Sequence, residues 1–383
     1  MKRSRLGFGL TAAALSVLVV GVGSTVAADP GDVVLANQDL HKALVLGDVA
    51  ADNAIGVVYQ KNNRSYLRWS EDGGQTFSTD WSLRAGSPSK SPRLASCGNW
   101  MWASSIARTS ASGATRVIID YLDVTDPEST AGHFRILDGF SADVACNGDV
   151  LAVVYQQSPV LMLAVMDGHC ANPCTPAYTT MISPYGDEPS QVAAVSDGFV
   201  VTWPDGSVVS GLRVQHFTVT GSGGSIVVTP DPVVTLMPGK RISRPVIDGD
   251  GSRVVVAYVK NGQTHMRISD DGGQTFGPRI IVSHFSTNTC CAGSQPLSVD
   301  ARDGRILVEV GRGMGDPPAI SAVGRLTSND GVRWTSTRKH GGATQIGVLL
   351  PGFAAEAWDS HHYASKIYGD VPQEIAFRKK SLP

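Results

Sequence analysis

The densest run of polar and aromatic side chains in the chain is Trp358-Asp359-Ser360-His361-His362-Tyr363. An imidazole beside a phenol can pass a proton in either direction, so such a pair could serve as general acid and base. Three arginines, Arg93, Arg244 and Arg312, stand in or beside strand-like runs. The planar guanidinium holds a carboxylate through two parallel hydrogen bonds, so each could bind an anionic group, the plainer alternative being a salt bridge or a bond to a strand carbonyl. His361 and His362 could ligate a metal, but no partner stands at ligand spacing, and neither a metal nor another cofactor is expected. The six cysteines include Cys170 and Cys174 in a proline-containing loop and the adjacent Cys290 and Cys291. A bond within the adjacent pair would close a strained ring and offer a ligand a rigid sulfur surface.

The start of the chain sets the compartment expected for this chemistry. Met1–Arg5 is basic, Leu6–Val22 is apolar apart from glycine, serine and threonine, and Val26-Ala27-Ala28 is a run of small residues. That order is a secretory signal peptide over residues 1–28, cleaved before Asp29. The mature protein is therefore expected to be secreted, without membrane insertion, and the cysteines to be disulfide-bonded. The formal net charge of −2 offers no basic stripe for nucleic acid. A monomer is expected.

The chain is rich in glycine (42) and proline (21), with 17% charged residues. Valine-rich runs of strand length recur between turn signals, and long stretches of helical period are almost absent, which reads as all-β. One phrase recurs: a proline or small residue opens a strand, a Gly or Asp turn follows, then a second apolar strand. It begins near Ser91, Ser141, Glu188, Ser243 and Ser294, with weaker copies near Val45 and Thr344. Aligning Pro92, Ala142, Pro189, Pro245 and Pro296 gives spacings of 50, 47, 56 and 51. A period near 50 holding about four short strands is that of a β-propeller blade, whose single sheet needs a neighbour on each face. Seven copies imply a single seven-bladed domain over residues 29–383. Six blades would result if the two terminal copies share one. In this register Cys97 and Cys146 both fall at the turn after the first strand of neighbouring blades, which predicts a Cys97–Cys146 bridge.

Between the copies lies a second motif. Ser70, Asp72, Gly74, Thr76 and Phe77 recur as Ser269, Asp271, Gly273, Thr275 and Phe276, and a worn copy keeps Thr327, Asn329, Gly331 and Trp334. Serine and aspartate side chains would accept turn N–H groups, glycine would supply positive φ, and the aromatic would pack into the sheet. These motifs resemble the Asp-box repeats of sialidases and related propellers. The resemblance implies that the boxes join the third and fourth strands of their blades, on the face away from the site, with a structural role. It also implies a ligand site where the innermost strands begin, a concave end of the ring.

A sialidase-like site would need three arginines on the substrate carboxylate, a tyrosine nucleophile activated by a glutamate, and an aspartic acid/base. The residues that could fill these roles are Arg93, Arg244 and Arg312, with Tyr363 or Tyr258 beside Glu356 or Glu309, and Asp359; His361 and Trp358 would contact substrate. The Arg-Ile-Pro motif of that family is absent, and the nearest phrase is Ser91-Pro92-Arg93-Leu94. Three functions are therefore open: an exo-glycosidase of sialidase type, a polysaccharide lyase using His and Tyr, and a non-catalytic propeller that binds glycans or proteins. An anionic glycan is the expected ligand in each.

Overall fold

The structure is a computed structural model that describes residues 33–38, 44–83, 89–108, 115–136, 139–169, 174–185, 190–206, 211–239, 242–261, 263–282, 294–314, 319–328, 335–340, 345–350, 353–359 and 373–381. It is an all-β propeller. The strands form seven antiparallel sheets, six of four strands and one with a fifth. Their innermost strands are Leu44–Ala51, Ser89–Cys97, Ala142–Asn147, Gln191–Val195, Ile242–Asp250, Ser294–Arg302 and Gln345–Leu350. Each of these lies against the next, and the last lies against the first, so the sheets succeed one another around an axis. Each copy of the repeated phrase coincides with an innermost strand and the strand that follows it.

Alternation with period two lets one strand serve two neighbours. In Val150–Gln157, the second strand of the third sheet, Leu151 and Val153 pack with Trp102, Val117, Ile119 and Phe134 of the second sheet. Ala152 and Val154 point the other way and pack with Phe199, Val201, Trp203 and Phe217 of the fourth. Both faces are buried, so such strands read as continuous apolar runs. Each fully buried valine or leucine contributes about 1.5–3 kcal/mol.

The seventh sheet closes the ring with both ends of the described chain. Its order from the axis outward is Gln345–Leu350, Phe353–Asp359, Gln373–Ser381 and Val33–Gln38. The N-terminal strand is thus the outermost strand of the sheet that ends the sequence. Neighbouring sheets are also joined covalently, because Cys97 and Cys146 form a disulfide. Cys174 is disulfide-bonded as well. Its expected partner Cys170, the pair Cys290 and Cys291, and residues 1–28 lie outside the described residues.

The two intact turn motifs join the third and fourth strands of the first and fifth sheets. Ser70 Oγ donates to Asp72 Oδ1 at 2.7 Å and accepts from the Gly74 amide at 2.7 Å. Asp72 also accepts from the amides of Gln75 and Thr76 and from the Thr76 hydroxyl. Ser269, Asp271, Gly273 and Thr275 repeat the arrangement. Gly74, at φ +87°, leaves no room for a side chain, since a Cβ there would stand 2.3 Å from Phe377 of the preceding sheet. Phe77 packs edge-on against that same ring at 4.8 Å. Each motif therefore fixes its own turn and seats it on a neighbour. We expect Asp72→Ala and Asp271→Ala each to lower the melting temperature by several degrees while ligand handling by the folded protein is unchanged. A variant that keeps its melting temperature and loses binding would place the motifs in the site instead.

Candidate functional site: the axial channel and its mouth

The inner edge of each innermost strand faces the axis and has no ladder partner, so its N–H groups need acceptors from elsewhere. Side chains of the preceding sheet supply them. The Leu94 amide donates to Asp48 Oδ2 at 3.1 Å, Val192 to Asp143 Oδ2 at 2.9 Å and Ile247 to Gln191 Oε1 at 3.0 Å. Ala301 donates to Asp248 Oδ2 at 2.7 Å, and Leu349 to Asp300 Oδ2. Bonds between equivalent levels show that the innermost strands run parallel, so all begin at one end of the ring. That end is the mouth.

These carboxylates line a cavity of about 270 Å³ together with Arg93, Ser96, Ser298 and Arg302. Burial pushes Asp48 above its ordinary value and Asp143 up to about 7, although the Arg93 guanidinium pulls both down. Asp248 and Asp300 are raised by burial, and Asp248 further by the like charge of Asp300, to which it is hydrogen-bonded. Arg302 of the sixth sheet reaches the Ala51 carbonyl of the first, across the channel at the end away from the mouth. Among the described residues no three His, Cys, Asp or Glu side chains are grouped to hold a metal ion. The cavity is smaller than the roughly 300–1,000 Å³ of sites that enclose small molecules. It has room for water, and a sugar would have to bind above it.

Arg93 lies inside the ring among these carboxylates, between the acceptors of the first and third sheets. Arg244 is on the innermost strand of the fifth sheet, near its start. Arg312 stands opposite Ser294, the first residue of the sixth innermost strand. Trp358 stands opposite Gln345, the first of the seventh, with Asp359 beyond it and Glu356 two residues deeper. The backbone therefore carries Arg244, Arg312, Trp358 and Asp359 to the mouth end. Tyr363, His361 and His362 lie outside the described residues.

Tyr258 and Glu309 are not brought together. Tyr258 packs with Val254 and Val256 toward the fourth sheet. Glu309 alternates with Val308 and Val310, which pack toward the fifth sheet, so it points the opposite way, toward the seventh. The channel carboxylates were missed in the sequence because a lone aspartate in a strand reads as a solvent-facing residue. One further buried group, His216, is held between Asp231 at 2.7 Å and Asp197 at 3.1 Å beside the turn of the fifth sheet. It ties two loops together with no nucleophile beside it among the described residues.

No protein-family model matches the chain, and no curated protein matches it in sequence. Solved structures do match in shape. The β-propeller domain of the Trilobed protease from Pyrococcus furiosus is similar with a TM-score of 0.52 and 11% identity, over 89% of this chain and 95% of that one. Phage phi92 endosialidase is similar with a TM-score of 0.50 and 9% identity, over 92% and 69%. A prolyl endopeptidase is similar with a TM-score of 0.53 and 13% identity, over 85% of this chain and 46% of that one, so the chain spans less than half of that enzyme. At these identities the likeness extends to the fold, which glycan-acting proteins and peptidases share.

Proposed function

We propose that the chain is an exported, seven-bladed Asp-box propeller that binds an anionic glycan at the channel mouth, with exo-glycosidase chemistry of sialidase type as its reaction. The observation that carries this reading is the register that gathers Arg244, Arg312, Trp358 and Asp359 where the innermost strands begin. Guanidinium groups there suit a carboxylate, and an indole suits a sugar face. Tyr363 with Glu356 would be the nucleophile pair, Asp359 the acid/base and His361 a further contact, as the resemblance to sialidases implies, while Arg93, the third arginine of that pattern, stands below them among the channel carboxylates. The basic, apolar and small-residue order of residues 1–28 supports export, as does a disulfide between sheets.

The test is binding and turnover of sialosides, uronate polymers and neutral glycans by the mature protein. Anionic glycans should bind and neutral ones should not, free sialic acid should be released, and Arg312→Ala should weaken binding at least tenfold. Equal binding of neutral glycans would overturn the reading, as would an Arg312→Ala protein that handles every glycan like its parent.

A further inference from the structure

The first and fifth sheets carry the same turn motif, so they can be compared residue by residue from its serine, Ser70 or Ser269. Eleven residues before it stand Tyr59 and Tyr258, four before it Tyr66 and His265, two before it Arg68 and Arg267. The cross-strand register agrees, with Tyr59 opposite Tyr66 and Tyr258 opposite His265. Ten residues after the serine the two sheets differ: the first has Asp80 and the fifth has Arg279.

That one difference changes what the cluster can hold. In the first sheet the Tyr59 hydroxyl and Arg68 Nε both donate to Asp80 Oδ1, each at 2.5 Å. One carboxylate oxygen serves a buried phenol and a guanidinium. In the fifth sheet the carboxylate is gone: Tyr258 and Arg267 have each other and His265 has the Lys260 backbone, but the Tyr258 hydroxyl, His265 Nδ1 and Arg267 Nε meet no carboxylate among the described residues. Tyr258 and His265 are 0% and 3% exposed, so water does not reach them freely. The charges acting on them are all cationic: Arg267 and Arg279 on Tyr258, Arg279 and Lys260 on His265. Arg279 is exposed and Arg267 half-buried, which leaves a way in from solvent.

We propose that the fifth sheet binds an exchangeable oxyanion, a sulfate, phosphate or carboxylate group, where Asp80 supplies its own carboxylate in the first sheet. The phenol and the Arg267 fork would donate to its oxygens as Tyr59 and Arg68 donate to Asp80, and Arg279 and Lys260 would balance its charge. A buried donor set with only cations around it lacks an anionic acceptor, and an oxyanion supplies one.

The experiment compares the parent with Arg279→Asp, an exposed substitution that restores the pattern of the first sheet. Sodium sulfate and sodium phosphate are titrated calorimetrically against sodium chloride at equal ionic strength, with melting temperatures recorded in parallel. The parent should bind one sulfate or phosphate per chain. Arg279→Asp should melt higher than the parent in chloride and lose at least tenfold in anion affinity, and Tyr258→Phe should lose several-fold. A sulfated monosaccharide distinguishes the source of the group: tighter binding than sulfate indicates a ligand-borne anion, and equal binding a free one. Sulfate stabilises most proteins by exclusion from their surface. An equal rise in melting temperature for parent and Arg279→Asp, without saturable binding, would therefore overturn the proposal. None of these residues is among those assigned to the mouth, so either reading can fail while the other stands.

Discussion

Replacing Cys97 and Cys146 together by alanine should cost about 4 kcal/mol and lower the melting temperature by roughly 5–10 °C. The bond closes a loop with a sequence separation of 49 and joins the far ends of the innermost strands of the second and third sheets. Those sheets already share a core built on Trp102, Phe134, Val144 and Leu151, so the native contacts should survive without it. What the bond removes is freedom of the unfolded chain, since two blades cannot separate fully while it is intact. Denaturation by urea should accordingly show a lower midpoint and a slightly larger m, because the unfolded chain exposes more surface once the cross-link is gone. The double substitution is a cleaner test than a reductant, which would also open the bond at Cys174. A loss below about 1 kcal/mol would mean that the closed ring restrains the unfolded state as much as the bridge does.

The repeat was the most legible part of the sequence because propeller packing is periodic. Both faces of every sheet must be covered, so the same apolar phrase returns at Ser91, Ser141, Ser243 and Ser294, each time over an innermost strand. Counting from Pro92 and Ala142 was enough to pair Cys97 with Cys146, since the turn after the first strand falls at the same height in each sheet. The turn motifs were legible for the same reason, their hydrogen bonds being local to Ser70–Thr76 and Ser269–Thr275. The channel was not. Asp48, Asp143, Asp248 and Asp300 serve N–H groups some 46 to 53 residues away, and nothing local marks them. Nor could chain order show that Tyr258 and Glu309 face opposite ways, because a shift of one residue in register reverses a side chain. The exchange of Asp80 for Arg279 is visible in the sequence, but it has meaning only once the phenol beside it is known to be buried.

The channel carboxylates should make the protein most stable in mild acid, and Asp143→Asn should remove much of that dependence. An aspartate in the unfolded chain titrates near 3.9. Burial pushes Asp143 up to about 7, and it raises Asp48, Asp248 and Asp300 also. Between those values the folded ring holds protons that the unfolded chain has released, so stability is greatest below about pH 4 for these groups and falls as pH rises toward 7. Asp72 and Asp271 act in the opposite sense. Their turn hydrogen bonds hold them below the ordinary range, Asp271 at about 2, so their contribution is present above pH 4 and fades as pH falls further. The two trends together put the maximum near pH 4–5. Arg93 opposes the burial of Asp143 without overcoming it, which is why the carboxyl stays raised beside a cation. Asparagine keeps an oxygen for the Val192 amide and cannot ionise. The Asn variant should match the parent near pH 4 and exceed it at pH 8 by as much as about 4 kcal/mol, at 1.36 kcal/mol for each tenfold change in proton affinity. Melting curves at half-unit steps from pH 4 to 8 decide the matter. A parent whose melting temperature does not fall over that range, or an Asn variant less stable than the parent at pH 8, would show that these carboxylates are ionised in the folded ring.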